Sequence, residues 1–174
     1  MKRILAIAAL SAALSVIATG QQPQPTFHDE LLDHMQGSWV LQGKIGSKET
    51  THDITVDWIV EHQYLRIHEV SRDKNAKGEP GYEAMVFIGW DQATSRYVAV
   101  WLDVWGGVSK QTVGYAARSG DDIPFFFTDG SSGIHTTFAY DRKANAWGWI
   151  MDNDEAGKLT PFARAKMTKA SAAN

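Results

Sequence analysis

The chain has 174 residues, with 17 basic and 20 acidic side chains, a net charge of −3 and no cysteine. That length suits one domain, and a mildly acidic balance lacks the electrostatic footprint of a nucleic-acid or anionic-membrane binder. Without cysteine neither a disulfide staple nor a thiolate zinc site can form.

The chain opens "MKRILAIAALSAALSVIATG". Lys2 and Arg3 precede an uncharged apolar stretch, and Ala18 and Gly20 form a small-x-small cleavage pattern, which predicts a secretory signal peptide over 1–20. The apolar core, Ile4 to Ala18, falls short of the roughly 20 residues a spanning helix needs. Removing the segment leaves 154 residues with a net charge of −5 and no membrane span, so the expected location is the periplasm or the exterior. "QQPQP" (21–25) reads as a linker, 26–168 as the folded domain, and 169–174 as a frayed tail.

Thr26 can cap a short helix ending near Gln36, with Phe27, Leu31, Leu32 and Met35 on one stripe and Gly37 as the stop. About ten residues of helix do not stand alone in water, so this one must dock. After Gly37 the period changes from 3.6 to 2. "THDITVDWIV" alternates His52, Ile54, Val56, Trp58 and Val60 against Asp53, Thr55, Asp57 and Ile59. "YLRIHEVSR", "YEAMVFIGWD", "SRYVAVWLDVW", "SKQTVGYAAR", "IPFFFTD", "IHTTFAYD", "AWGWIMD" and "PFARAKMTK" follow, separated by polar turns. Seven Trp, seven Phe and five Tyr among 15 Gly agree with a β-rich chain. Short connections exclude a parallel sheet and favour a meander. A meander of about 8–10 strands leaves two bare edges unless it closes, which predicts an all-β, antiparallel up-and-down barrel with a short N-terminal helix.

Gly37-Ser38-Trp39 at the helix-to-strand junction resembles the G-x-W opening of lipocalins and their calycin relatives. "LLDHMQGSW", "IGWDQATSRYVAVWLD" and "FARAK" look like a bacterial family of unknown function, exported or cytosolic, thought to form lipocalin-like barrels; the resemblance covers roughly 28 to 168. It implies that Trp39 sits at the closed end under a basic residue of the last strand, matched here by Arg164, and that the helix forms a lid. A guanidinium on an indole face stabilises by about 0.5–2 kcal/mol.

Alternation gives a candidate ligand lining of Ile54, Val56, Trp58, Trp101, Phe138 and Trp147, with His52 and Arg66 as polar anchors. His52 heads an apolar face; it is either a satisfied rim histidine or a ligand contact, including axial ligation of a haem. Arg66 and His68 belong to solvent unless the strand turns over and they meet an anionic headgroup. Asp103, beside Tyr97 and Trp101, is a rim residue or a perturbed base. No metal set and no catalytic set emerge: "DNDEAGKLTPFA" places Ala156 and Ala163 where a calcium loop needs ligands, and no G-x-S-x-G precedes a helix. The expected function is carriage of a small apolar or amphipathic molecule. The alternatives are an enzyme working inside the barrel, or a structural or interaction barrel with a filled core.

Overall fold

The computed structural model describes residues 26–171; the signal-peptide and linker assignments lie outside the described residues. The fold is all-β, a closed antiparallel up-and-down barrel of ten strands with one short N-terminal helix. After α1 (Glu30–Asp33) come β1 (Gly37–Ile45), β2 (Lys48–Ile59), β3 (Tyr64–Ser71), β4 (Glu83–Asp91) and β5 (Arg96–Asp103). A single 3₁₀ turn (Lys110–Thr112) leads into β6 (Val113–Ala116), then β7 (Asp122–Thr128), β8 (Ser132–Asp141), β9 (Ala146–Glu155) and β10 (Lys158–Lys169). Each strand pairs with its chain neighbours, and β10 pairs with β1, so closure leaves no edge for another strand to extend.

Period-2 alternation sets the inner face. On β2, His52, Ile54 and Val56 are buried while Asp53 and Thr55 are exposed. On β3 the buried set is Leu65, Ile67, Glu69 and Ser71. Trp147 and Trp149 on β9 and Phe138 on β8 complete an aromatic core. Fully burying one such side chain stabilises by roughly 1.5–3 kcal/mol. Where β1 crosses β10 the backbones come so close that a Cβ on Gly43 would lie 2.2 Å from the Arg164 carbonyl oxygen, so only glycine fits.

The helix is shorter than its apolar stripe predicts. Asp29, not Thr26, is the N-cap, because its Oδ1 accepts from the backbone N–H groups of both Leu31 and Leu32 at 2.9 Å. Leu31, Leu32 and Met35 are buried and close one end of the barrel. Side chains from four strands hold the plug. Trp39 Nε1–H donates to Met35 O at 2.6 Å and Lys169 Nζ to Gln36 O at 2.6 Å. Trp58 Nε1–H donates to Asp33 Oδ1 at 2.8 Å, and the Tyr97 hydroxyl donates to Asp29. The carbonyls orphaned at the helix end thus find donors in the barrel wall.

The cation over Trp39 is Lys169, not Arg164. Lys169 Nζ lies 3.8 Å from the Trp39 ring centroid, and Lys169 is paired directly opposite Trp39. Arg164 pairs opposite Lys44, five residues away along both strands, and alternation turns it to the outer surface. There its guanidinium meets Asp152 and the Met151 carbonyl. Lys169 therefore belongs to the last strand, one residue into the expected tail, and Ala170 N–H still donates to Ser38 O at 2.9 Å.

The β2–β3 turn carries three consecutive non-glycine residues, Val60, Glu61 and His62, at φ of 49°, 52° and 65°. Left-handed backbone at such residues is costly and persists only when its surroundings hold it. The His62 ring stacks on Trp58 at 4.0 Å, and its Nδ1–H donates to Phe27 O at 3.1 Å. The strained turn thus grips the segment leading into the plug.

Candidate ligand-binding site

Away from the plug, the inner face of the barrel does not fill. A cavity of about 710 Å³ opens at the far end, with walls that include Leu41, Phe127, Ile134, Trp149 and Met151. Such dimensions fall within the range of small-molecule pockets.

Polar groups enter this apolar space from β2 and β3. His52 and Glu69 face inward at 2 % and 3 % exposure, and the His52 Nδ1–H donates to Glu69 Oε1. Thr50, two residues along β2 on the same face, places its Oγ1 2.6 Å from His52 Nε2. A neutral ring with its proton on Nδ1 accepts the Thr50 hydroxyl proton at Nε2, so the three residues form one chain of hydrogen bonds. Both ring nitrogens are engaged. Axial ligation of a haem iron does not fit this arrangement, because it requires breaking the Thr50 contact.

The rim is aromatic. Trp101 Nε1–H donates to the Tyr82 hydroxyl at 3.1 Å, and the Tyr82 ring lies 5.0 Å from that of Trp105. Burial pushes the Tyr82 phenol well above its ordinary pKa of 10.0, and the nearby Glu69 and Asp103 carboxylates push it the same way. Asp103 ends β5, and its Oδ1 accepts the Trp105 backbone N–H at 3.0 Å, which sets the turn carrying Trp105 over the mouth. Two glycines follow, Gly106 and Gly107, at φ of 68° and 82°, a conformation that glycine adopts without steric cost.

Two donors on the opposite wall have no hydrogen-bond partner among the described residues. Thr136 Oγ1 on β8 and Trp149 Nε1 on β9 are buried at 1 % and 2 % exposure, and both residues line the cavity. Their sites are diagonal neighbours across the β8–β9 pair, where Thr136 lies opposite Met151 and Phe138 opposite Trp149.

Of the residues singled out from the sequence, His52 and Trp101 line the cavity. Ile54, Val56, Phe138 and Trp147 face inward, but their side chains belong to the packed core rather than the cavity wall. Trp58 faces the plug, bonded to Asp33. Arg66 lies on the outer face, where it forks onto Asp57 with two bonds of 3.0 Å, because Leu65 and Ile67 take the inner positions of β3. His68 is likewise outside, bonded to Glu83 at 2.7 Å. Sequence reasoning passed over Glu69, although it continues the Leu65–Ile67 alternation. It also passed over Thr50, Tyr82, Trp105 and Thr136. Among the described residues no group of three or more His, Cys, Asp or Glu is placed to hold a metal ion. No helix among them is long and apolar enough to cross a membrane.

No protein family model matches the chain, and no curated protein is similar to it.

Proposed function

We propose that the protein is an exported, lipocalin-like carrier that takes a small amphipathic molecule into the open half of its barrel. One observation carries the reading: a cavity of about 710 Å³ whose apolar wall is interrupted by a buried Thr50–His52–Glu69 chain. Apolar surface supplies the driving force for binding, and a few fixed polar groups orient the ligand. The export pattern of residues 1–20 and the G-x-W opening support the carrier assignment and an extracytoplasmic location.

The test is titration with a neutral fluorescent naphthylamine, read by probe emission and by quenching of tryptophan. Ala165 lines the cavity at half-burial, so Ala165→Phe fills the space from a wall that can bear the added volume. The wild-type protein is expected to bind saturably and A165F at least about tenfold more weakly, the equivalent of about 1.4 kcal/mol. Absence of saturable binding up to about 1 mM, where the free energy of association falls to about −4 kcal/mol, removes the carrier reading.

A second reading has one observation in its favour. A hydroxyl, an imidazole and a carboxylate in hydrogen-bonded order are the parts of an activated nucleophile, and here Thr50, His52 and Glu69 stand in that order beside a cavity. Covalent labelling of Thr50 by a fluorophosphonate, lost in H52A, favours an acyl-transfer enzyme. An unlabelled protein without esterase turnover leaves carriage.

A further inference from the structure

The charges that line the cavity differ from those an anion binder needs. Among the described residues no arginine lines it. Its two lysines are at the mouth, where Lys48 is 2.8 Å from Asp73 and Lys74 is exposed. The other formal charges are the carboxylates of Asp103 at the rim and Glu69 further in, with His52 bonded to the latter. A ligand carboxylate or phosphate entering here meets like charge in a partly desolvated space, with no guanidinium to receive it.

The aromatic groups supply the complement. Tyr82, Trp101 and Trp105 converge at the rim beside Asp103, with Tyr82 and Trp105 ring centroids 5.0 Å apart and the Trp101 indole bonded to the Tyr82 oxygen. Trp105 is held there by its own N–H on Asp103 while 76 % of it remains exposed, an unusual state for the largest side chain on a loop. Electron-rich ring faces beside a carboxylate attract alkylammonium groups, which lose less hydration energy than a metal ion does when they enter such a site. Deeper in, Phe127, Trp149 and Met151 give the cavity an apolar wall.

Resting on the carrier reading above, we propose that the ligand is a cationic amphiphile. Its amine or quaternary ammonium head sits against Tyr82, Trp105 and Asp103. Its apolar body lies on Phe127 and Trp149.

The test is displacement of the neutral naphthylamine by three molecules of equal chain length: decyltrimethylammonium, 1-decanol and decanoate. The ammonium is expected to compete at a concentration about tenfold below that of decanoate, in line with an aromatic cage beside a carboxylate. Asp103→Asn should bring the two within about threefold while leaving 1-decanol unchanged, and Trp105→Ala, which removes a ring that is 76 % exposed, should weaken the ammonium alone. Decanoate binding as well as the ammonium, or an ammonium affinity untouched by both substitutions, overturns the cationic assignment; if 1-decanol still binds, carriage survives that result. Failure of all three molecules and of the naphthylamine overturns both readings together.

Discussion

At the closed end, Trp39, Trp147 and Met167 share a core with Leu31, Leu32 and Met35, and none of the six is more than 1 % exposed. At the open end, Trp101, Asp103 and Trp105 border a cavity of about 710 Å³. The same ten strands and the same alternation build both. The difference lies in what is laid across each mouth. The plug brings three apolar side chains and a set of backbone carbonyls that Trp39 and Lys169 satisfy, so the interior there collapses around it. The loop over the other mouth brings glycines, a carboxylate and an exposed tryptophan, which cover the space without filling it. The packed core is therefore concentrated at one end and the open volume at the other.

The largest test of that division replaces one tryptophan in each half. Trp147→Ala removes a fully buried ring from the closed half and should cost about 3–5 kcal/mol in urea unfolding, as a large-to-small change in a packed core does. Trp101→Ala removes a half-buried ring whose edge already borders open space. It should cost about 1–2 kcal/mol, with the larger loss in ligand affinity. Equal costs for the two would mean that the halves are packed alike, and the division fails.

The contrast between the ends also marks what could be read from the sequence. Alternation placed His52, Ile54, Val56, Phe138 and Trp147 on the inner face, and the short turns implied a meander that closes. Depth along the barrel axis was not legible. It depends on strand tilt and stagger and on which mouth the helix stops, none of which leaves a mark in a period-2 pattern, so Ile54 and Phe138 were grouped with residues of the open half. Glu69 and Lys169 were legible and were passed over. Glu69 shares parity with Leu65 and Ile67, and Lys169 shares parity with Ala165 and Met167, but a charged residue on an apolar face is easily taken for the end of that face. Tyr82 and Trp105 lie just outside strands β4 and β5, where periodicity carries no information and only the fold brings the two rings together.

A smaller effect separates the two basic residues of β10. Partial burial over Trp39 pulls the Lys169 ammonium below its ordinary pKa of 10.5, a sign that the group is held against the plug rather than free in water. Lys169→Met should cost about 1–2 kcal/mol, from the lost ring contact and from the Gln36 carbonyl left without its donor. Arg164→Ala removes an exposed ion pair with Asp152 and should cost about 0–1 kcal/mol. A larger loss for Arg164 than for Lys169 in urea unfolding would return the closing role to the arginine.

The smallest effect is a difference in acid sensitivity between the ends. Near the plug, Arg142 donates to Asp121 through Nε and Nη2, each at 2.6 Å, and these bonds hold the carboxyl below its ordinary 3.8. At the mouth, the bond from Lys48 lowers Asp73 in the same direction. For each group the folded pKa lies below the unfolded one, so around pH 3.8 the unfolded chain binds more protons than the native one. Stability from the pair is then complete above that pH and drains away as the pH falls through the folded value. Asp121→Asn should lower the melting temperature slightly at pH 7 and shrink the drop between pH 7 and pH 3. Asp73→Asn should do the same more weakly, since one flexible ammonium replaces a guanidinium that makes two bonds. Because Asp73 is exposed and Asp121 is partly exposed, added salt should shrink both effects, that of Asp73 more. An acid slope unchanged by Asp121→Asn, or changed more by Asp73→Asn, would place the charge-dependent part of the stability at the mouth rather than beside the plug.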